Sequence, residues 1–128
     1  MVKKILRIFV FCIFILFLVY LRVFIGQYNE FKKAEKAYAN LNFKDAVVYY
    51  ETAILFYTPI SPYIDKSIER MFEIALKYEQ NQQYDYALDV YENLRSSLYA
   101  TKSFYQPYPH IIQACDRKIS ELLGKIKK

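Results

Sequence analysis

The sequence predicts an all-α protein, in which an N-terminal transmembrane helix is followed by helical hairpins and a C-terminal capping helix. The 128 residues include only two Gly and four Pro, too few for a turn-rich β-barrel. A long uninterrupted apolar run lies near the N-terminus. Beyond it, apolar residues recur with a period near 3.6, which is typical of amphipathic helices. The length after the apolar run suits one small domain and excludes a second, catalytic domain.

The formal net charge of +5 is concentrated at the N-terminus. The first 25 residues hold four Lys or Arg and no acid, whereas the remainder holds 14 Lys or Arg against 13 Asp or Glu. The remainder is therefore close to neutral, at +1. Nucleic-acid binding requires a basic surface, so no nucleic-acid partner is expected.

Residues 1–26 are predicted to form a single-pass membrane anchor. From Ile5 to Ile25 every residue except Arg7 and Arg22 is apolar, and these 21 residues would span about 31 Å as a helix. Both Arg side chains lie near an end of the run and can reach the membrane surface. A cleaved secretory signal is the alternative, but the run is longer than a signal core and lacks a small-residue cleavage site.

The anchor is expected in the cell membrane with its N-terminus in the cytoplasm. Basic residues lie at both ends of the run in similar number. Lys3, Lys4 and Arg7 lie before it or near its start, and Arg22, Lys32, Lys33 and Lys36 lie near or after its end. The short leader carries no acid and sits at the extreme N-terminus, which favours retention on the cytoplasmic side. The C-terminal domain is then periplasmic or otherwise extracytoplasmic.

Residues 27–128 are predicted to form the helical domain. Periodic runs predict helices from Tyr28 to Leu41 and from Lys44 to Tyr57. The Pro-containing segment that follows interrupts the helical pattern, and Ser61 or Asp65 is a candidate cap for the next helix. The predicted units are a first repeat at 28–57, a loop at 58–64, a second repeat at 65–103 and a capping helix at 110–127.

The two predicted repeats are self-similar. The pattern Phe43-x-x-Ala46-x-x-x-Tyr50-x-x-Ala53 aligns with Tyr84-x-x-Ala87-x-x-x-Tyr91-x-x-Leu94, at an offset of 41 residues. This pattern resembles the tetratricopeptide repeat, in which small residues stand where two antiparallel helices cross. The second unit also has Met71, Ile74, Ala75 and Tyr78 at the family's first-helix positions. The first unit departs from the family pattern at four positions, which are Glu30, Lys33, Ala37 and Leu41.

The resemblance implies a ligand site on the concave side of the array. By the alignment, the first-helix residues on that side are Phe31, Glu35, Tyr38, Phe72, Leu76 and Glu79. An apolar groove with acidic edges suits an apolar or basic peptide. The chain's own final helix is the alternative occupant.

The sequence contains no recognisable catalytic, cofactor or metal site. Beyond the anchor it has one histidine, His110, and one cysteine, Cys115, and it has no glycine-rich phosphate loop. Cys115 lies in an apolar-periodic helix and is expected to be a buried small hydrophobic residue. The protein is therefore not expected to be an enzyme.

The aromatic content is unusual, with 14 Tyr and no Trp. Tyr50, Tyr78, Tyr84 and Tyr91 are assigned to the packing of the repeats. The remaining aromatic residues cluster with basic ones around the two non-helical segments, and Tyr and Arg are common at protein interfaces. The candidate partner-binding residues from these clusters are Tyr57, Tyr63, Arg95, Tyr99, Lys102, Phe104 and Tyr105. Alternatively, the two loops pack on each other and on the capping helix.

These features favour a membrane-anchored scaffold or adaptor that binds another protein. It resembles the anchored repeat proteins of bacterial inner membranes, which implies an accessory subunit of a membrane or envelope complex. The alternative is an anchored receptor or chaperone-like protein for transported polypeptides, with a cytosolic domain. A third interpretation is self-association through Phe9, Phe11, Phe14 and Phe17 of the anchor, although no small-xxx-small motif accompanies them.

Overall fold

The computed structural model describes residues 1–127, and this part of the chain is all-α. Five helices follow one another without an intervening strand within these residues. Helices α1 and α2 form one antiparallel hairpin, α3 and α4 form a second, and α5 packs against α4. The helix bounds are α1 Val2–Ala39, α2 Phe43–Leu55, α3 Pro62–Gln80, α4 Tyr84–Ala100 and α5 Pro109–Ile126.

Helix α1 joins the apolar run to the first hairpin without a break. Gly26 lies inside the helix, and a Cβ atom there would be only 3.3 Å from Cε1 of Phe56. The glycine therefore allows the α2 end to approach α1 closely. Residues 1–22 are exposed on every side, and α1 is the one helix of the described chain that is long and apolar enough to cross a membrane.

The two hairpins turn with the same geometry at equivalent positions. Leu41 and Gln82, which are 41 residues apart, have φ values of 61° and 60°. The amide of the residue after each donates a hydrogen bond back to the preceding helix, from Asn42 to the Ala37 carbonyl and from Gln83 to the Tyr78 carbonyl. This is a Schellman-type ending, which usually takes glycine but here tolerates larger side chains. The internal repeat is thus present in the backbone as well as in the sequence.

Helices α3 and α5 begin earlier than the sequence predicts, because a proline stands at the start of each. Pro62 and Pro109 each occupy the first turn, where a missing N–H leaves no helical hydrogen bond unmade. Ser61 caps α3 by accepting a hydrogen bond from the Tyr63 amide, so Ser61 and not Asp65 is the cap. Helices α2 and α4 end two or three residues earlier than predicted, at Leu55 and Ala100.

The core lies where the hairpins stack. Small residues at the predicted crossings are fully buried, which lets the helices of each hairpin approach closely. The tyrosines at the equivalent positions of α2 and α4, Tyr50 and Tyr91, are also fully buried. The buried small residues are Ala34, Ala46, Ala53, Ala75 and Ala87.

The polar departures of the first repeat lie on the outer face of the stack. In α3, Met71 and Ile74 are fully buried. Their equivalents in α1, Glu30 and Lys33, form a solvent-exposed ion pair of 3.1 Å. Among the described residues no further hairpin stacks on this side of α1, and the side chains of Lys33 and Glu30 keep 58% and 19% of their exposure. Polar residues here are the expected outer surface of a terminal repeat.

Helix α5 closes the other end of the stack. Its apolar stripe buries Ile112, Cys115 and Leu122, largely against α4. Its opposite side is exposed, and Lys118 reaches across to Glu79 of α3 at 3.1 Å. This arrangement agrees with the predicted capping role.

Candidate protein-binding groove

An apolar groove lies between α3 and the start of α5. It has a volume of about 450 Å³. On α3, side chains at helical spacing form one continuous stripe along the groove, and Leu76 in this stripe is 45% exposed. We call this site the α3–α5 groove; its apolar lining is Ile68, Phe72, Leu76 and Ile111.

Carboxylates border the α3–α5 groove. Asp65, Glu69 and Glu73 all belong to α3 and lie at its edge. Asp65 accepts a hydrogen bond from the Tyr108 hydroxyl, which ties the start of α5 to α3. Glu69 has a side chain that is 59% exposed and makes only a loose ion pair of 3.7 Å with Lys66. The groove thus combines an apolar floor with an acidic edge.

The junction of α1 with α3 is closed by a charged network. The guanidinium of Arg70 bridges Glu35 and Glu73, with a 3.0 Å nitrogen–oxygen distance to each carboxylate. The hydroxyl of Tyr50 donates to Glu35 at 2.6 Å, and that of Tyr38 donates to Glu73 at 2.8 Å. We call these five residues the α1–α3 charge network. They lie on the first-hairpin side of the expected concave site, and their side chains contact one another there.

The α1–α3 charge network stabilises its carboxylates in the ionised form. Burial by itself would raise the pKa of Glu35, but hydrogen bonds from Arg70 and Tyr50 outweigh it and lower that pKa. The pKa of Glu73 is lowered in the same way, against burial, by Tyr38 and Arg70. Burial, with the adjacent Glu35 carboxylate, raises the pKa of the Tyr50 hydroxyl. Both carboxylates are charged at neutral pH.

The structure divides the predicted concave residues into two groups. Phe72 and Leu76 line the α3–α5 groove. Tyr38 belongs to the α1–α3 charge network, and Phe31 packs its ring 5.1 Å from Tyr63 and 6.1 Å from Tyr50. Phe31 and Tyr38 are therefore partly buried structural residues, because α3 supplies partners for them. The final helix does not fill the groove and forms one of its walls instead.

The predicted aromatic clusters also divide. The hydroxyls of Tyr57 and Tyr105 meet at 2.6 Å, so the two loops do contact each other. Tyr63 packs against rings of α1. Arg95 pairs with Asp116 and stacks 4.9 Å from the Tyr99 ring centre. The remaining two residues, Lys102 and Phe104, project into solvent.

Only Phe72 and Leu76 of the α3–α5 groove were predicted as site residues; the seven that were not are Asp65, Ile68, Glu69, Glu73, Tyr108, His110 and Ile111. Ile68 and Glu69 precede Phe72 by four and three positions, so helical spacing alone places them on the same face. That signal was available in the sequence. Ile111 carried no such signal, because its place in the groove depends on how α5 packs.

Cys115 is buried as the sequence predicts. Its side chain is fully inaccessible, and burial, with the nearby Asp116 carboxylate, raises the pKa of the thiol to about 12. Among residues 1–127, no group of three or more His, Cys, Asp and Glu side chains is placed to hold a metal ion.

We expect the Cys115 thiol to resist alkylation at neutral pH while the domain is folded. A buried thiol is neither accessible nor ionised, and the thiolate is the reactive species. Iodoacetamide labelling of a Cys12→Ser variant in detergent, followed by intact-mass analysis, measures this directly. Labelling is expected only after denaturant is added, and rapid labelling of the native protein would contradict the buried environment.

Comparisons of this chain with protein-family models, curated proteins and solved structures give no match.

Proposed function

We propose that this protein is a membrane-anchored scaffold or adaptor of tetratricopeptide-like design, which binds a segment of another protein in the α3–α5 groove. The groove is the observation that carries this proposal. It presents exposed apolar side chains beside carboxylates on a preformed helical surface. Helical-hairpin arrays use such surfaces to hold peptides. The matched turns at Leu41 and Gln82 support the resemblance to the repeat family.

The groove chemistry favours an apolar segment with basic residues. The floor offers Phe72 and Leu76 for apolar anchors. Glu69, at the edge, is the carboxylate best placed to meet an incoming cation, because Glu73 is already paired with Arg70. An apolar anchor with a complementary charge at its edge gives both affinity and orientation. We propose another subunit of a bacterial inner-membrane or envelope complex as the partner.

A photoreactive amino acid at Leu76 is expected to form a specific adduct with the partner in cells. The same amino acid at Val48 of α2 is the matched control, since Val48 is 56% exposed and lies outside the groove. A Glu69→Lys change in the Leu76 probe strain is expected to reduce the adduct, because it reverses the charge at the groove edge.

The adduct can be read by immunoblot and identified by mass spectrometry. Glu69→Lys should leave the fold intact, because its ion pair with Lys66 is exposed and contributes little stability. Equal adducts at Leu76 and Val48, or an adduct that is insensitive to Glu69→Lys, would argue against the groove as the binding site.

We further propose that α1 spans the membrane once, with the helical domain on the extracytoplasmic side. The exposed apolar surface of residues 5–21 supports the span, and the acid-free basic leader supports the orientation. A reporter fused after the last residue distinguishes the two sides. Activity of a cytosolic reporter there would favour the alternative, an anchored receptor for polypeptides.

A further inference from the structure

The loop between α2 and α3 lies where the apolar run of α1 ends. Gln27, which is fully buried, donates from Nε2 to the Phe56 carbonyl at 2.9 Å and accepts a hydrogen bond from Ser61. The Phe24 ring lies 5.6 Å from the ring of Tyr63. These contacts hold residues 56–61 beside the last turn of the proposed span.

The loop between α4 and α5 lies at the same end of the domain. Tyr105 contacts Tyr57 through its hydroxyl, at 2.6 Å. Tyr108, at the start of α5, donates to Asp65 in the first turn of α3. The antiparallel hairpins thus bring residues 56–61 and 101–108 together on the side of the domain from which the apolar run leaves. We call these two segments the anchor-side loops.

The anchor-side loops expose apolar side chains that no other described residue covers. Ile60 is 101% exposed and Phe104 is 105% exposed, values that mean no neighbouring atom shields them. Ile60 also adopts a φ of 60°, a conformation that β-branched residues rarely occupy. A polar residue or glycine would suit this solvent-exposed position better in a protein surrounded by water.

The charge and aromatic content of the anchor-side loops matches a membrane surface. Neither segment contains an acidic residue, and Lys102 is their one basic residue. Their tyrosines, with Tyr20 and Tyr28 of α1, place several phenol rings around the end of the apolar run. Tyr is enriched where a protein meets the headgroup layer, because its ring is apolar and its hydroxyl is polar.

We infer that the anchor-side loops rest on the bilayer that α1 crosses, with Ile60 and Phe104 inserted in its headgroup region. This inference rests on the proposed membrane span. The continuous α1 helix places the loops at the level where the apolar run ends. When α1 spans a bilayer, the loops therefore lie against the lipid headgroups. The domain then sits on the membrane with a defined orientation, and the hairpin turn at Leu41 points away from it.

Single tryptophans provide the test, because the chain contains none. Full-length Ile60→Trp and Phe104→Trp proteins are placed in phosphatidylcholine and phosphatidylglycerol vesicles. The vesicles contain no brominated lipid, lipid brominated near the headgroup end of its acyl chains, or lipid brominated near the terminal methyl. Leu41→Trp is the matched control: Leu41 is 72% exposed and has a φ of 61°, like that of Ile60. It lies about 20 Å along α1 from Gln27. Phe14→Trp reports on the anchor itself.

We expect lipid brominated near the headgroup end to quench tryptophan emission at positions 60 and 104, lipid brominated near the terminal methyl to quench it at position 14, and neither lipid to quench it at position 41. Quenching at position 14 alone would overturn the docking of the loops and leave the span intact. No quenching at position 14 would overturn the span and the docking together. Circular dichroism checks that each variant is folded, and the exposed positions of Ile60, Phe104 and Leu41 make them tolerant of a larger side chain.

Discussion

Replacing Tyr91 with alanine is expected to lower the free energy of unfolding of the helical domain by roughly 3–5 kcal/mol. Tyr91 is fully buried in α4, its ring centre lies 5.7 Å from that of Phe72, and its hydroxyl donates to Glu79 at 2.7 Å. Truncation leaves a cavity between the second hairpin and α5 and removes a partner from a carboxylate. A small domain has little stability in reserve, so Tyr91→Ala is expected to unfold a large fraction of the protein at 37 °C.

The control is Tyr91→Phe, which keeps the ring and removes only the hydroxyl. Its expected cost is about 1 kcal/mol, because Glu79 retains its 3.1 Å contact with Lys118. Urea titrations in mild detergent, followed by circular dichroism, measure both variants. The fully buried equivalent in the first hairpin, Tyr50, gives an independent pair of variants. If Tyr91→Ala costs no more than Tyr91→Phe, the stacked-hairpin core described here is wrong.

Replacing Arg70 with methionine is expected to lower the free energy of unfolding by roughly 1–3 kcal/mol. This is less than the cost of breaking a fully buried ion pair, because solvent screens part of the interaction. The Arg70 guanidinium forms ion pairs with both Glu35 and Glu73. Its removal leaves two neighbouring carboxylates without the positive charge between them. Lys66→Met is the matched control. Lys66 lies one turn away with an exposed partner, and its removal is expected to change the stability by no more than about 0.5 kcal/mol.

The effect of Arg70→Met should depend on pH in a defined direction. The pKa of Glu35 and that of Glu73 are lowered in the folded protein from their ordinary value of 4.5, so the unfolded chain binds more protons in acid. The stability that the ionised Glu35 and Glu73 contribute is fully present above pH 4.5, and it is lost as the pH falls through their lowered pKa values. The difference between wild type and Arg70→Met should therefore shrink in acid.

A triple variant separates charge from packing in this network. Adding Glu35→Gln and Glu73→Gln to Arg70→Met removes the repulsion, while the amide oxygens can still accept from Tyr50 and Tyr38. Part of the lost stability is expected to return at neutral pH. A penalty that neither shrinks in acid nor recovers in the triple variant would assign the role of Arg70 to packing of its side chain instead of to its charge.

Helix positions were largely predictable, whereas several helix ends were not. Periodic apolar residues locate α2 to α5 and the domain part of α1, because one face of each must be buried, whereas the unbroken apolar run locates the first part of α1. Pro62 and Pro109 were expected to lie outside helices, because proline disrupts a helix interior. Proline is also common in the first turn of a helix, and the sequence alone does not distinguish the two cases. Gly26 was predicted to mark the boundary between the anchor and the helical domain. In the structure the close approach of the Phe56 ring explains the glycine, and this contact joins residues 30 positions apart in the sequence.

The candidate site was predictable only in part. Alignment of the repeats placed Phe72 and Leu76 on one face of α3, and they do line the groove. The same alignment placed Phe31 and Tyr38 on the concave side, but it contained no information about Arg70, which reaches across from α3 and closes that region. Which exposed positions remain open depends on the neighbours that the packed hairpins bring close.

The sequence by itself determined the helical class, the apolar run and the two-hairpin repeat, because each depends on residues that are close together along the chain. The tertiary structure alone decided three further features: the open groove between α3 and α5, the charge network between α1 and α3, and the position of the anchor-side loops beside the end of the apolar run. Each of these depends on side chains from different helices meeting at distances of a few ångströms. Periodicity indicates which face of a helix is buried, but not which partner buries it.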